Sequence, residues 1–159
     1  MSEKIQSQAE KTFWQSLETL PPGQTLALAA VLPRLRWNED GLLPAIAQQH
    51  DTGEVLMLAW MNQAALRETL ETGRVCYWSR SRQRLWRKGE SSGQRQWLRG
   101  LAVDCDGDAL LLQVAQEGPA CHTGRRSCFY FQAADGHVRI ATAPLKDPGS
   151  LYGEDSDKR

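Results

Sequence analysis

Seven short apolar segments, all beyond residue 42 and punctuated by glycine, proline or aspartate, constrain the fold of this chain most strongly. Runs of this length predict strands, because a helix with one buried face needs a longer periodic run. Short connections rich in turn residues favour hairpins, so we predict a mostly antiparallel sheet. The predicted strands cover residues 43–48, 55–60, 75–78, 97–105, 109–115, 128–133 and 138–142.

Two helical patterns accompany these strands. Asn62 precedes apolar positions that include Leu66 and Leu70, and Gly73 follows them, which predicts a helix with an asparagine N-cap and a glycine C-terminus. A second apolar stripe covers residues 8–19 and ends at a proline–proline–glycine sequence. The fold class predicted is therefore α+β, with a mostly antiparallel β-sheet and few helices.

Length and charge bound the class of protein. A chain of 159 residues with zero formal net charge fits one domain, and it does not fit a protein that coats nucleic acid or membrane by charge alone. No apolar run approaches the roughly 20 residues of a membrane helix, and the polar N-terminus is unlike a secretory signal. We therefore expect a cytoplasmic protein, in which four cysteines serve as metal ligands or buried thiols rather than disulfides.

We divide the chain into three parts. Residues 1–37 form a helical N-terminal extension whose role is open, and residues 24–37 within it carry no clear pattern. Residues 38–145 form the main domain. Residues 146–159 are polar and are predicted to be a mobile tail.

The sequence DCDGD at residues 104–108 places three carboxylates beside a thiol. Carboxylate oxygens suit Mg²⁺ and thiolates suit Zn²⁺. In an extended segment, Asp104, Asp106 and Asp108 face one side and Cys105 faces the other. An EF-hand is excluded, because Ala109 stands where that loop needs glycine.

Cys105, Cys121 and Cys128 are the zinc candidates, although their spacing is not that of a zinc finger. Three ligands suggest an open coordination site that holds water. The alternative is three reduced cysteines buried in strands. His122 is a candidate fourth ligand or acid/base group, and we favour acid/base because adjacent residues rarely reach one metal. Cys76, inside an apolar segment, is interpreted as core.

Residues 80–99 concentrate positive charge, with six arginines and one lysine against Glu90 alone. Guanidinium groups bind phosphates through paired donors. Tryptophans interleave with these cations and offer flat surfaces for a nucleobase. The stretch therefore predicts binding of a nucleotide or single-stranded nucleic acid, and a solvated basic hairpin with core tryptophans is the alternative.

Taken together, these segments resemble the phosphoribosyl-AMP cyclohydrolases of histidine biosynthesis. Six sequence blocks carry the resemblance in order, and they span about residues 38–135. They are LPAI at 43–46, TGEVLMLAWMN at 52–62, YWSRSR at 77–82, LWRKGESSG at 85–93, DCDGD at 104–108, and GPACHTG at 118–124 with SCF at 127–129. The chain lacks the pyrophosphatase domain that some members carry, so the stand-alone form is expected.

The resemblance implies an intertwined homodimer with a zinc site at the subunit interface. It assigns Zn²⁺ to Cys105, Cys121 and Cys128, contributed across the dimer, and Mg²⁺ to Asp104, Asp106 and Asp108. The implied reaction adds water at C6 of phosphoribosyl-AMP and breaks its N1–C6 bond. We expect His122 to act as the base, and we expect Arg80, Trp86, Lys88 and Glu90 to bind the nucleotide substrate.

Two other classes of protein compete with this interpretation. A zinc nucleobase deaminase also attacks C6 of adenine, but its H-x-E and P-C-x-x-C signature is missing here. A zinc-stapled module that binds single-stranded RNA would use the basic stretch, yet it leaves the three aspartates unexplained. We therefore expect neither nucleic acid nor membrane as a partner.

Overall fold

The structure is a computed structural model, and it describes residues 3–152. Within these residues, eight strands and four α-helices make up the α+β fold predicted from the sequence. The strands are β1 (Leu43–Gln49), β2 (Val55–Met61), β3 (Cys76–Ser79), β4 (Arg84–Arg87), β5 (Gln96–Val103), β6 (Leu110–Gln116), β7 (Phe131–Ala134) and β8 (His137–Ile140). The helices are α1 (Glu3–Ser16), α2 (Leu28–Val31), α3 (Gln63–Thr72) and α4 (Pro148–Tyr152), with a 3₁₀ turn at Leu32–Arg34.

Six strands form one sheet in the order β4-β3-β2-β1-β6-β5. Neighbouring strands are antiparallel except for β1 and β6, which run parallel with Ala45 opposite Leu110. The prediction of a mostly antiparallel sheet is confirmed. The parallel pair joins the four-stranded half β1–β4 to the hairpin β5–β6.

Local signals set the limits of helix α3. The Asn62 side chain accepts a hydrogen bond from the Ala65 backbone N–H at 2.8 Å, which satisfies one of the free donors at the helix start. Gly73 ends the helix at φ +77°, a conformation that glycine adopts without strain. The predicted cap and terminator are both confirmed.

Strand β4 lies inside the basic stretch and was not among the predicted strands. It pairs with β3 so that Tyr77 faces Trp86, and their rings stand 5.6 Å apart. The connecting turn contains Gln83 at φ +52°, a position where a hairpin turn more often has glycine. This hairpin lacks the usual sequence signal, because β4 has only two apolar residues, which lie between arginines, and because its turn has no glycine.

The core lies where α3 packs against one face of the sheet. Burial alternates along β1 and β6, as expected for strands with one face on the core. Thr69 links α3 to β3, because its hydroxyl accepts from the Cys76 N–H at 2.9 Å. Fully or nearly fully buried side chains include Leu43, Leu56, Met61, Val75, Tyr77, Leu110, Leu112 and Val114.

The β7–β8 hairpin stands apart from the main sheet, and every residue of both strands is exposed. Its apolar side chains Phe131, Val138 and Ile140 are each more than 60 % exposed. An isolated two-stranded hairpin is marginally stable in water. A cluster of exposed apolar side chains on such a hairpin is typical of a surface that contacts another molecule.

Helices α1 and α4, near the two limits of the described residues, both pack onto the domain. Trp14 of α1 packs against the core, and α4 buries Leu151 to 7 % exposure within the predicted tail. The rest of that tail, from residue 153, lies outside the described residues. Within residues 3–152, no helix is long and apolar enough to span a membrane.

Candidate active site

Residues 104–109 form the turn between β5 and β6 and are called the aspartate loop here. The alternating faces that an extended segment would give are not formed, because β5 ends at Val103 and the chain turns at once. Gly107, at φ +73°, allows the turn. The three aspartates therefore share one loop rather than one face of a strand.

Asp104 organises the aspartate loop. Its Oδ1 atom accepts hydrogen bonds from the N–H groups of Asp108 at 2.9 Å and Ala109 at 3.1 Å. Partial burial acts to raise the pKa of Asp104, but hydrogen bonds from the Asp108 carboxyl and from backbone N–H groups outweigh it and lower that pKa. The same contact with Asp104 raises the pKa of Asp108, and burial and the charges of Asp104 and Asp106 add to the rise.

Two carboxyls this close together also have the chemistry of a divalent-cation site. Mg²⁺ commonly takes one or two protein carboxylates and completes its shell with water and substrate phosphate. A bound cation would relieve the repulsion between the charges of Asp104 and Asp108. The donor set of the aspartate loop therefore fits Mg²⁺.

The second cluster lies in the segment between β6 and β7, where Cys121 meets Cys128. The N–H of Cys128 donates to the Leu56 carbonyl at 2.7 Å, and the Ser127 hydroxyl donates to the Val55 carbonyl at 2.7 Å. These bonds anchor the segment to the start of β2. The Thr123 hydroxyl donates to the Cys121 sulfur at 3.1 Å, a role that sequence reasoning missed. The sequence signal for this role of Thr123 was its position, two residues after a cysteine in a loop bounded by glycines.

Electrostatics favours a thiolate at Cys121. Its hydrogen bond from Cys128 lowers the pKa of Cys121 to about 5, against the opposing effect of burial, and Thr123 adds to the lowering. The same bond raises the pKa of Cys128. The pair thus holds one proton between two sulfurs, and thiolates are the ligands that zinc takes most readily. Two of the three predicted zinc ligands are placed together.

Lys88 lies beside this cysteine pair. It is 3 % exposed, and its ammonium donates to the Ala120 carbonyl and stands 5.4 Å from the Trp86 ring centre. Burial lowers the pKa of Lys88, and the charges of Cys128 and Cys121 act to raise it. The side chain therefore places a buried cation next to the sulfurs.

Cys105 does not join the pair. It is exposed in the aspartate loop, before β6, whereas the pair lies after β6 and against the start of β2. Since β1 and β6 are parallel and β2 is antiparallel to β1, Cys105 and the cysteine pair lie at opposite ends of the sheet. Among residues 3–152, no group of three or more His, Cys, Asp or Glu side chains is placed to hold a metal ion.

The other predicted site residues are divided between these ends. His122 is exposed beside Cys121. Arg80 lies over the Trp60 ring at 4.7 Å and lines a cavity of about 300 Å³. That cavity opens at the end of the sheet that carries the aspartate loop, because Leu42 precedes β1 and Asn62 follows β2. Glu90 pairs with Arg84 at 3.2 Å.

Comparison with known proteins identifies the family to which this chain belongs. The sequence profile of phosphoribosyl-AMP cyclohydrolases matches residues 57–130. A phosphoribosyl-AMP cyclohydrolase of Chromohalobacter salexigens is 62 % identical over 141 residues, which are 89 % of this chain and 97 % of the relative. The chain belongs to the phosphoribosyl-AMP cyclohydrolase family.

Two further members of the phosphoribosyl-AMP cyclohydrolase family match over nearly their whole length. The protein of Halorhodospira halophila is 65 % identical over 136 residues, covering 86 % of this chain and 96 % of the relative. That of Alkalilimnicola ehrlichii is 63 % identical over 140 residues, covering 88 % and 99 % respectively. The resemblance found in the sequence is confirmed, and the chain is an enzyme of this hydrolase family, consistent with the stand-alone form.

Proposed function

We propose that this chain catalyses the third step of histidine biosynthesis, the hydrolytic opening of the adenine ring of phosphoribosyl-AMP. Water adds at C6 and the N1–C6 bond breaks, which gives phosphoribosylformimino aminoimidazole carboxamide ribotide. The observation that carries the proposal is the pairing of Cys121 with Cys128 next to a buried lysine, in a chain whose relatives bear this activity in their name. The substrate is thus a small nucleotide.

A homodimer completes the site. One chain places Cys105 and the aspartates at one end of its sheet and the cysteine pair at the other. A two-fold axis makes every contact reciprocal, so Cys105 of each copy can meet the Cys121–Cys128 pair of the other. The exposed apolar side chains of β7 and β8 supply a surface for such an intertwined assembly.

Cys121, Cys128 and Cys105 of the second copy would hold Zn²⁺ in this assembly. When bound there, zinc would supply a water molecule of lowered pKa as the nucleophile needed at C6. Thr123 fixes the Cys121 thiolate through its hydroxyl, and the Lys88 ammonium offsets part of the negative charge of the sulfurs. His122, exposed beside Cys121, takes the proton from the attacking water as general base.

Asp104, Asp106 and Asp108 would hold Mg²⁺ and orient a phosphate of the substrate. Arg80, at the same end of the sheet, provides a guanidinium for a phosphate, and the cavity it lines has room for part of a nucleotide. Trp86 and Glu90 remain proposed contacts to base and ribose. Lys88 as a phosphate ligand also remains a prediction, and its present bond to Ala120 directs the ammonium toward the cysteine pair.

Turnover of phosphoribosyl-AMP by the purified protein, followed by ultraviolet absorbance, tests the proposal. The assay is run as purified, after chelation, and after Zn²⁺ and Mg²⁺ are restored separately and together. We expect activity to be lost on chelation and to return only with both ions. No turnover by a folded, zinc-loaded dimer contradicts the proposal, and salt-dependent binding of single-stranded RNA would then favour the RNA-binding module.

A further inference from the structure

The N-terminal extension contacts the aspartate loop directly. Gly107 stands between Asp106 and Asp108 in the sequence. It is buried, and it packs against the indole ring of Trp14. A Cβ atom added to Gly107 would collide with that ring. The contact therefore needs glycine for space as well as for its positive φ.

Two hydrogen bonds fix the same contact. The Trp14 indole N–H donates to the Arg34 carbonyl at 2.8 Å, and two residues later the Arg36 N–H donates to the Gly107 carbonyl at 2.8 Å. Glu10 and Phe13 of α1 add contacts to Arg34, an ion pair at 3.7 Å and a cation–π contact at 4.9 Å. Helix α1, the segment around residue 35 and the aspartate loop thus form one packed unit.

Hairpin loops at the edge of a domain are usually mobile, because few side chains restrict them. Here the ring of Trp14 covers the middle of the loop, and the 34–36 segment holds its backbone. Ligands that are held in place before a metal binds lose less conformational entropy on binding. The contact is therefore placed to affect how well the aspartates bind a cation.

We propose that Trp14 is a positioning residue for the aspartate loop, so that the N-terminal extension raises the affinity of this loop for Mg²⁺. Trp14 acts through Gly107 and the backbone of the loop, and it touches neither metal nor substrate. The inference rests on the proposed assignment of Mg²⁺ to Asp104, Asp106 and Asp108. It gives the extension, whose role the sequence left open, a part in the function of the enzyme.

Mn²⁺, a paramagnetic substitute for Mg²⁺, tests the proposal on the full-length, zinc-loaded protein. Free Mn²⁺ is followed by electron paramagnetic resonance during titration of the wild type and of Trp14→Ala, Trp14→Phe and Lys11→Ala. We expect Trp14→Ala to weaken Mn²⁺ binding about tenfold, the lower end of the range for groups that support metal ligands. Trp14→Phe keeps an aromatic ring but loses the bond to Arg34, so its loss should be smaller. Lys11→Ala, exposed on the same helix, should bind as the wild type does.

The outcomes separate this inference from the magnesium assignment. If the wild type binds no Mn²⁺, the magnesium assignment and this inference both fail. If the wild type binds Mn²⁺ and a folded, dimeric Trp14→Ala binds it equally well, this inference alone fails.

A second measurement does not depend on the folding of Trp14→Ala. In protein labelled with 5-fluorotryptophan, the fluorine resonance missing from Trp14→Phe belongs to Trp14. We expect it to shift when Mg²⁺ is added to the wild type and to stay in place in Asp108→Asn. A Trp14 resonance that does not respond to saturating Mg²⁺ in the wild type overturns the proposal.

Discussion

Cys105 and Cys121 lie at opposite ends of strand β6, since one precedes the strand and the other follows it. The strand has 7 residues, which at about 3.3 Å per residue places its ends roughly 20 Å apart. Zinc–sulfur bonds are about 2.3 Å long, so thiols held at opposite ends of this strand do not reach one ion. The proposed three-thiol site therefore requires a second copy.

Mixing of two inactive variants tests this requirement. Cys105→Ser and Cys128→Ser should each be inactive, because each removes one ligand from both sites of the dimer. When the two are refolded together in equal amounts, about half of the dimers are mixed and each contains one complete site. We expect roughly a quarter of the wild-type rate of phosphoribosyl-AMP turnover to return.

The matched control pairs Cys121→Ser with Cys128→Ser, whose substitutions lie at the same end of the sheet. Every site in that mixed dimer lacks one of these thiols, so no activity should return. Equal recovery in both mixtures, or recovery in neither, would contradict a site shared between subunits.

His122 is exposed and lies beside a proposed zinc ligand. Its substitution therefore distinguishes a role as general base from a role as zinc ligand. His122→Ala should lower kcat about 10²- to 10⁴-fold, as expected for loss of a general base, and should leave the zinc content unchanged. Steady-state kinetics and metal analysis of the same preparation measure both. His50→Ala, exposed in the β1–β2 turn, is the control and should keep the wild-type kcat. Loss of zinc from His122→Ala would identify it as a ligand instead.

Lys88→Met distinguishes two roles for a buried cation. Removal of the positive charge next to Cys121 and Cys128 should weaken zinc binding about 10- to 100-fold, as measured by competition with a chromophoric chelator. A phosphate-binding role predicts a different pattern, in which KM rises and zinc affinity does not change. The second pattern would show that Lys88 leaves the Ala120 carbonyl in the substrate complex.

The ion pair between Glu68 and Arg87 makes stability depend on pH. Arg87 donates to both carboxylate oxygens of Glu68, at 2.9 and 2.6 Å, and joins α3 to β4. The hydrogen bond from Arg87 lowers the pKa of Glu68 in the folded chain. A lowered folded pKa contributes stability above the unfolded glutamate pKa of about 4.3, and that contribution is lost as pH falls through the folded pKa.

Arg87→Leu should therefore lower the free energy of unfolding by about 1 kcal/mol at pH 7 and have a much smaller effect at pH 3. Urea denaturation at fixed protein concentration measures the difference, since dimer stability depends on concentration. Glu68→Gln is the control, because its stability should not show the pH dependence that Glu68 contributes. An equal loss at both pH values would mean that Arg87 acts by packing alone.

Much of the fold could be predicted because its signals are local. Asn62 and Gly73 mark helix α3 by themselves, and the strands β1 and β2 are separated by an Asp-Thr-Gly turn. The parallel pairing of β1 with β6 has no local signal, because it joins Ala45 to Leu110 across most of the domain. The aspartates and cysteines were identified as candidate metal ligands from the donor chemistry of their side chains alone.

The arrangement of those candidates depends on the tertiary structure. Whether the segment at 104–108 is extended or turned is decided by where β5 ends and by the contact of Gly107 with Trp14, more than 90 residues earlier. Likewise, the separation of Cys105 from Cys121 follows from the direction of β6. A pattern of residue types carries neither kind of information.

The parallel contact between β1 and β6 also sets the order in which a newly made chain can mature. Strands β1–β4 leave the ribosome first, but the edge of β1 has no partner until residue 116 has been synthesised. An open strand edge pairs readily with other chains. A nascent or truncated chain that stops before β6 would therefore expose the centre of its future sheet, an edge at which another chain can pair and start aggregation.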